Sequence, residues 1–426
     1  MSAPVPTPDP TASLTQRYQA VRHFTERLRV PLSPEDCVVQ SMPDVSPTKW
    51  HLAHVTWFFE TFVLKPRAAA GFDYTVFDPS FEYLFNSYYN SVGAQYPRAR
   101  RGLVTRPDLE TVLAYRVHVD RAMERLLESG LSASEQSVLE LGLHHEQQHQ
   151  ELLLMDIKHV LFQSPCCPAY SADAAGKHAG PSSGNVPPVE FLGFGGGLKA
   201  LGHAGEGFHF DNEGPRHQVH LEDYRLASRL VTNGEYLEFV RDAGYSAPLL
   251  WLSDGWATVQ REGWTAPLYW VERDGEFFEF TLRGLEPLDH SAPVCHVSYF
   301  EADAFASWAR ARLPNEAEWE VAALTLDNPR GNFVESGALH PRPAVDVGLG
   351  QMWGDVWEWT ASAYAPYPGF EAAAGALGEY NGKFMVSQQV LRGGACVTSQ
   401  SHFRPTYRNF FYPGQRWMFS GIRLAR

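Results

Sequence analysis

With 426 residues, 44% hydrophobic and 20% charged, the chain has more core material than one ordinary domain holds, so two or more domains are expected. A net charge of −14 excludes a nucleic-acid binder, whose phosphate contacts need clustered Lys and Arg. Five scattered cysteines (Cys37, Cys166, Cys167, Cys295, Cys396) form neither a disulfide framework nor a C-x-x-C metal pattern. No apolar run approaches the roughly 18 residues of a membrane span. The opening MSAPVPTPDPTAS has neither the basic nor the apolar region of a signal peptide, so a cytoplasmic location without membrane attachment is expected.

In chain order, SLTQRYQAVRHFTERLRV places Leu14, Tyr18, Val21, Phe24 and Leu28 at helical spacing. Ser46-Pro47 reads as an N-cap followed by proline at the first helical position, opening TKWHLAHVTWFFETFVL. A third helix is expected from Pro107 to about Leu127, with Val112, Val117 and Met123 near one face. The fourth opens at the capping box SASE, Ser132 to Glu135, and runs to Phe162. Four long amphipathic helices predict a bundle, an architecture that builds metal sites from facing helices. The Pro/Gly/Ser/Ala-rich stretch SPCCPAYSADAAGKHAGPSSGNVPP then reads as a linker, giving domains 1–165 and 189–426 joined by 166–188. The second half has short apolar stretches cut by glycines and much of the chain's 12 Trp, an α+β texture. TNGEYLEFVRDAG and SYFEADAFASWARAR are its expected short helices.

The fourth helix contains His145-Glu146-Gln147-Gln148-His149, formally H-E-x-x-H. On a helix the two histidines lie one turn apart and reach one ion, and Leu141, Leu152 and Met155 turn that face inward. Two imidazoles hold a metal poorly, and the second helix offers His51 or His54 as a third ligand. His144 faces about 100° away from His145, on the 3.6-residue helical period, and is expected at the surface or behind the ligands. Glu146 is a candidate base, and Glu151 a carboxylate that orients an imidazole. A zinc hydrolase wants its third ligand downstream; only His159 stands there, without the usual flanking pattern. By ligand chemistry alone a set of imidazoles suits iron, copper and zinc about equally.

SPTKWHLAH together with HHEQQHQE resembles the DinB-like metal-binding bundle. DNEGPRHQVHLEDYRLASRLVTNGEYLEF, LPNEAEWEVAA, GDVWEWTAS, VLRGGAC, RPTYRN and SGIRLAR are similar to the formylglycine-generating-enzyme domain, with its C-type-lectin-like fold. The pairing resembles the ergothioneine-biosynthetic sulfoxide synthases over nearly the whole chain. That resemblance implies iron(II) on His54, His145 and His149, the histidine of LAH being the family's ligand. It implies an O2-dependent union of a cysteine thiol with imidazole C2 of hercynine, and oxidation of the sulfur to a sulfoxide. Formylglycine generation itself is not expected, because it needs two cysteines near the C-terminus and only Cys396 is present.

The second domain is then expected to bind substrate through RPTYRNFFYPGQR. Asn409 would hydrogen-bond, Arg404 or Arg416 would meet a carboxylate, and Phe410 and Trp417 would face the trimethylammonium group. Relatives that take γ-glutamylcysteine carry an acidic residue two after this asparagine and an arginine four further on. Phe411 and Gln415 stand there instead, which favours free cysteine. In FNSYYNSVG, Tyr88 and Tyr89 are the candidate phenol donors for the oxygen chemistry. In YPRARRG, Arg98 and Arg101 are candidates for the cysteine carboxylate, and Gln148 for a further substrate contact. The alternatives are an ovothiol-type or selenium-transferring synthase of the same fold, a zinc-dependent thiol transferase or hydrolase using Glu146, and a lectin-like binding module.

Overall fold

Ser13 accepts from the Gln16 backbone while Gln16 reaches back to the Ser13 N–H, and this capping box starts α1, Leu14–Arg29, at the expected place. The computed structural model describes residues 12–171, 186–326, 330–345 and 348–426, so most of the expected linker, 172–185, lies outside the described residues.

The second helix, α2, spans Thr48–Phe59 and is buried on every side, as Trp50, Trp57, Phe58 and Phe59 require. Its N-cap is Pro47 rather than Ser46. The Ser46 hydroxyl instead accepts from Arg101, 2.9 Å away, while its backbone N–H donates to Asp156. The helix continues through a π turn at Glu60–Leu64 into α3, Lys65–Ala69. After the short α4, Phe81–Phe85, comes α5, Leu109–Ser129, capped by Asp108. Val112 and Met123 are buried there, but Val117 points outward: five residues past Val112 a helix has turned well off that face. The fourth long helix, α6, is Ala133–Phe162, opened by the Ser132–Glu135 capping box.

Within the bundle α6 packs on α1 and α2, and α2 also packs on α5. The approach of α2 to α6 depends on Gly142, where an added Cβ would lie 2.6 Å from a Phe59 ring carbon and 2.9 Å from one of Phe58. Overpacking of this kind costs about 1–3 kcal/mol. Gly142→Ala is therefore expected to lower unfolding free energy by about that amount in denaturant titration, despite alanine's better helix propensity; an unchanged or raised midpoint would contradict this packing.

The chain divides into two units. The first runs to Ser171 and takes in Ala373–Tyr380, a segment far downstream of the bundle in sequence. The second comprises Ala172–Ala372 and Asn381–Arg426. It is α+β and rich in loops. Strands β1 (Phe191–Phe194) and β4 (Tyr224–Ala227) pair antiparallel, as do β2 (Gly197–Leu201) and β3 (His217–Leu221). The meander β5 (Trp270–Arg273), β6 (Glu276–Thr281) and β7 (Gly284–Pro287) follows. A four-stranded sheet has the order β10-β9-β8-β11, with β8 at Trp357–Ala363, β9 at Gln389–Arg392, β10 at Asn409–Phe411 and β11 at Ser420–Gly421. The two expected helices form at Asn233–Arg241 and Tyr299–Trp308, each opened by a capping box, at Thr232 and Ser298. In this unit's interior Glu358 of β8 accepts from Arg423 at 2.7 Å and from the Trp319 indole at 2.9 Å, while Arg392 of β9 pairs with Glu320. These charges come from GDVWEWTAS, SGIRLAR, VLRGGAC and LPNEAEWEVAA, so these motifs of the second half help build its core.

Candidate metal centre

Helices α2 and α6 bring His54, His145 and His149 together, each buried, with one ring nitrogen of each within 4.8 Å of the others. Nε2 of His54 and Nε2 of His145 are 3.2 Å apart. His54 donates from Nδ1 to the Phe85 carbonyl at 2.6 Å, which leaves its Nε2 lone pair facing inward. Its ring stacks on Trp50, centroids 4.5 Å apart and planes 12° from parallel, with Trp57 stacked at 5.6 Å. Nδ1 of His145 has no hydrogen-bond partner among the described residues. Burial pushes all three imidazoles well below the ordinary histidine pKa, His145 to about 3, and their mutual repulsion adds to the effect at His54 and His149. Three neutral imidazoles with converging lone pairs fit a divalent transition metal.

His51, the rejected alternative, faces away from this centre: its Nδ1 lies 2.8 Å from Nδ1 of His149 and its Nε2 3.0 Å from Asp156. His144 is buried rather than at the surface. Asp156, a carboxylate two turns beyond His149 on α6, lies within hydrogen-bond distance of the His51 imidazole.

Glu146 is no base. It turns aside from the histidines toward α1 and α5, where it accepts from Arg22 at 2.8 Å, Arg116 at 3.1 Å and Thr25 at 2.7 Å. Those guanidinium groups outweigh burial and hold its pKa down at about 2. His159, the downstream candidate, hydrogen-bonds Ser41 instead. The geometry therefore removes the zinc-hydrolase reading of the motif.

Of the candidate tyrosines, Tyr89 is fully buried, its ring 5.7 Å from Trp57 and 5.1 Å from Phe62, and stacks on Tyr88 at 4.6 Å. A different phenol reaches the histidines. Tyr380 packs edge-on against His145 with centroids 5.8 Å apart, and its hydroxyl donates to Gln148. The Tyr88 loop serves the segment that brings it: Glu379 accepts from the backbone N–H groups of Asn90 at 3.0 Å and Ser91 at 2.8 Å. Tyr88 itself lies edge-on to Tyr380 at 6.3 Å. Sequence reasoning missed Tyr380 because it lies over two hundred residues from the bundle, in no helical or strand pattern; the one signal was a tyrosine in an otherwise loop-like run, EYNGKF.

Arg101 is buried, its guanidinium 3.4 Å from the Trp50 ring centroid, and donates to Ser46 and Ser87 hydroxyls. Its Nε has no partner, and among the described residues no carboxylate pairs with it. Arg98 is exposed and donates to the Asp44 carbonyl at 2.5 Å.

In the second unit the expected binding residues all have partners within that unit. Arg416 stacks on Trp264 at 3.9 Å and donates to Glu301 at 2.9 Å and to the Ala266 carbonyl, so its charge is already met. Arg404 is held likewise by Glu213, at 2.6 Å. Phe410 stacks on Tyr364 with centroids 4.0 Å apart, Phe411 is edge-on to Trp417 at 5.6 Å, and the Asn409 side chain accepts from the Phe410 N–H.

A helical bundle whose three buried histidines could hold a metal ion is thus joined in one chain to an α+β unit whose motifs form its core. Residues 14–153 match the DinB superfamily, and residues 190–333 and 339–426 match the sulfatase-modifying factor enzyme 1-like domain. The hercynine oxygenase of Mycobacterium tuberculosis is 34% identical, over 90% of this chain and 91% of that protein. The one from Mycolicibacterium thermoresistibile is 31% identical, over 97% of this chain and 94% of that protein. Ergothioneine biosynthesis protein 1 of Schizosaccharomyces pombe is 27% identical, over 51% of this chain and 28% of that longer protein. The chain belongs to the hercynine oxygenase family and is an oxygenase. No helix among the described residues is long and apolar enough to cross a membrane.

Proposed function

We propose that the protein is an iron(II)-dependent sulfoxide synthase of ergothioneine biosynthesis, with hercynine as one substrate, free cysteine as the sulfur donor and O2 as oxidant. The observation that carries this reading is the set of three buried, neutral imidazoles of His54, His145 and His149, set beside a phenol in a chain of this family. Iron(II) held there supplies O2 chemistry and open positions at which thiol and imidazole become neighbours.

The protein's own groups do the rest. Arg101, a buried cation without a carboxylate partner among the described residues, is ready to pair with the carboxylate of the amino-acid thiol, with Arg98 nearer the surface. Gln148 and Tyr380, already hydrogen-bonded to each other, offer an amide to hold the hercynine ring and a phenol to donate a proton during oxidation. Free cysteine is favoured by Phe411 and Gln415, neither of which can pair with the charged ends of a γ-glutamyl group. Asn409, Phe410 and Phe411 remain proposed substrate contacts on the family resemblance. A cytoplasmic location follows from the reduced thiols it would require.

The test is anaerobic loading with Fe(II), then O2, hercynine and either cysteine or γ-glutamylcysteine, with product masses read by mass spectrometry. The expected product is a hercynine–cysteine sulfoxide from free cysteine. Product from γ-glutamylcysteine alone would overturn the donor assignment, and no O2 uptake with either thiol would overturn the reaction. Tyr380→Phe is expected to lower kcat about 100-fold or more while metal content stays as in the wild type.

A further inference from the structure

We propose that His51 and Asp156 are positioning residues that fix His149 in the one tautomer able to bind metal and hold its ring plane. The inference rests on the metal-site reading above and goes beyond it to residues that touch neither metal nor substrate.

Asp156 Oδ2 receives two N–H groups, from the Ser46 backbone at 2.8 Å and from His51 Nε2 at 3.0 Å. Ligation through Nε2 leaves the His149 proton on Nδ1, and that atom lies 2.8 Å from Nδ1 of His51, which accepts it in a hydrogen bond. His51 then carries its own proton on Nε2 and donates it to Asp156 at 3.0 Å. The three side chains so form one chain of bonds whose direction matches the tautomer of His149 that ligation needs. All three side chains are buried, His51 and Asp156 at 3% and His149 at 9% exposure, so water does not readily substitute for a lost partner. His149 and Asp156 are two turns apart on one face of α6, and His51 meets both from α2, so the same chain of bonds also sets the ring's orientation. His54 receives the equivalent service from a backbone carbonyl, and Nδ1 of His145 has no partner among the described residues. Among the three ligands, His149 is the one whose ring nitrogen meets a side chain behind it, and that side chain can be changed.

A rival account makes the pair a buried polar staple between two helices. It predicts lost stability, but unchanged metal affinity in the folded protein. The two are separated with the full-length chain by anaerobic Fe(II) titration against a competing chelator, alongside the visible spectrum of the Co(II) form. His51→Leu is expected to weaken metal binding about 10–100-fold, as loss of an imidazole's orienting partner does, and to alter the Co(II) bands. His51→Asn, whose carbonyl oxygen falls near the former Nδ1 and accepts from His149, restores most of the affinity. Asp156→Leu, which removes the acceptor, weakens binding more in the His51 protein than in the His51→Asn protein, because asparagine has no tautomer to fix. Wild-type affinity in His51→Leu, failure of His51→Asn to improve on it, or equal losses from Asp156→Leu in both backgrounds would each overturn the proposal. Wild-type protein that holds neither Fe(II) nor Co(II) would overturn the metal site itself, and with it this inference.

Discussion

Replacing His145 by alanine is expected to leave the protein without tightly bound metal and without detectable oxygenase turnover. Nε2 of His145 lies 3.2 Å from that of His54, so its loss reduces a set of three convergent donors to two. Changing a residue that merely orients a ligand costs about 10–100-fold in affinity, and removing the ligand itself should exceed that. Metal content after gel filtration, read by plasma mass spectrometry, checks the first claim, and O2 uptake the second. His159→Ala is the control: this histidine is hydrogen-bonded to Ser41 and should keep full metal content. Stoichiometric metal in His145→Ala, or its loss in His159→Ala, would mean that the centre has been misplaced.

The second large effect is on stability. Glu146 sits in the same five-residue pattern, and a hydrolase reading would make Glu146→Ala inactive but well folded. Here its carboxylate compensates Arg22 and Arg116, both buried, and receives a hydrogen bond from Thr25. Alanine would leave Arg22 with Asp120 alone and Arg116 with only Glu26, 3.7 Å away, and breaking a buried pair from one side costs about 3–5 kcal/mol. A fall in Tm of about 10 °C is expected, since 1 kcal/mol moves a unit of this size by about 2–4 °C. The pH dependence has a definite sign. Because the folded pKa is about 2, against an ordinary 4.5, the stabilisation is complete above pH 4.5 and is lost as pH falls from there to about 2. Glu146→Ala should flatten the acid limb of the stability curve in that window. An unchanged melt with lost activity would restore the general-base role.

How much of this was legible in the sequence depended on how local the cause was. Capping boxes at Ser132, Thr232 and Ser298 act within four residues, and the helices they open lie where the pattern put them. His145 and His149 were legible because one helical turn brings them together. The choice between His51 and His54 was not, since both lie on a buried face. What separates them is the Phe85 carbonyl behind one and His149 and Asp156 behind the other, which are tertiary facts. Ser46 misled for a similar reason: a good capping residue had been claimed by Arg101 and Asp156. Glu146 misled because adjacent residues on a helix point in different directions, and a motif written as letters does not record that. Tyr380 had no local cause at all.

That tyrosine bears on how the gene can be cut. A fragment ending at Ser171 would contain every histidine of the metal centre, yet lack Ala373–Tyr380, which belongs to the same unit. It would lack the Glu379 carboxylate that the Asn90 and Ser91 amides hold, and the phenol that reaches Gln148. The bundle is therefore not a transplantable cassette. Swapping its C-terminal companion for another member of that superfamily would exchange one of the residues around the histidines as well, so the two halves of this chain are constrained to change together.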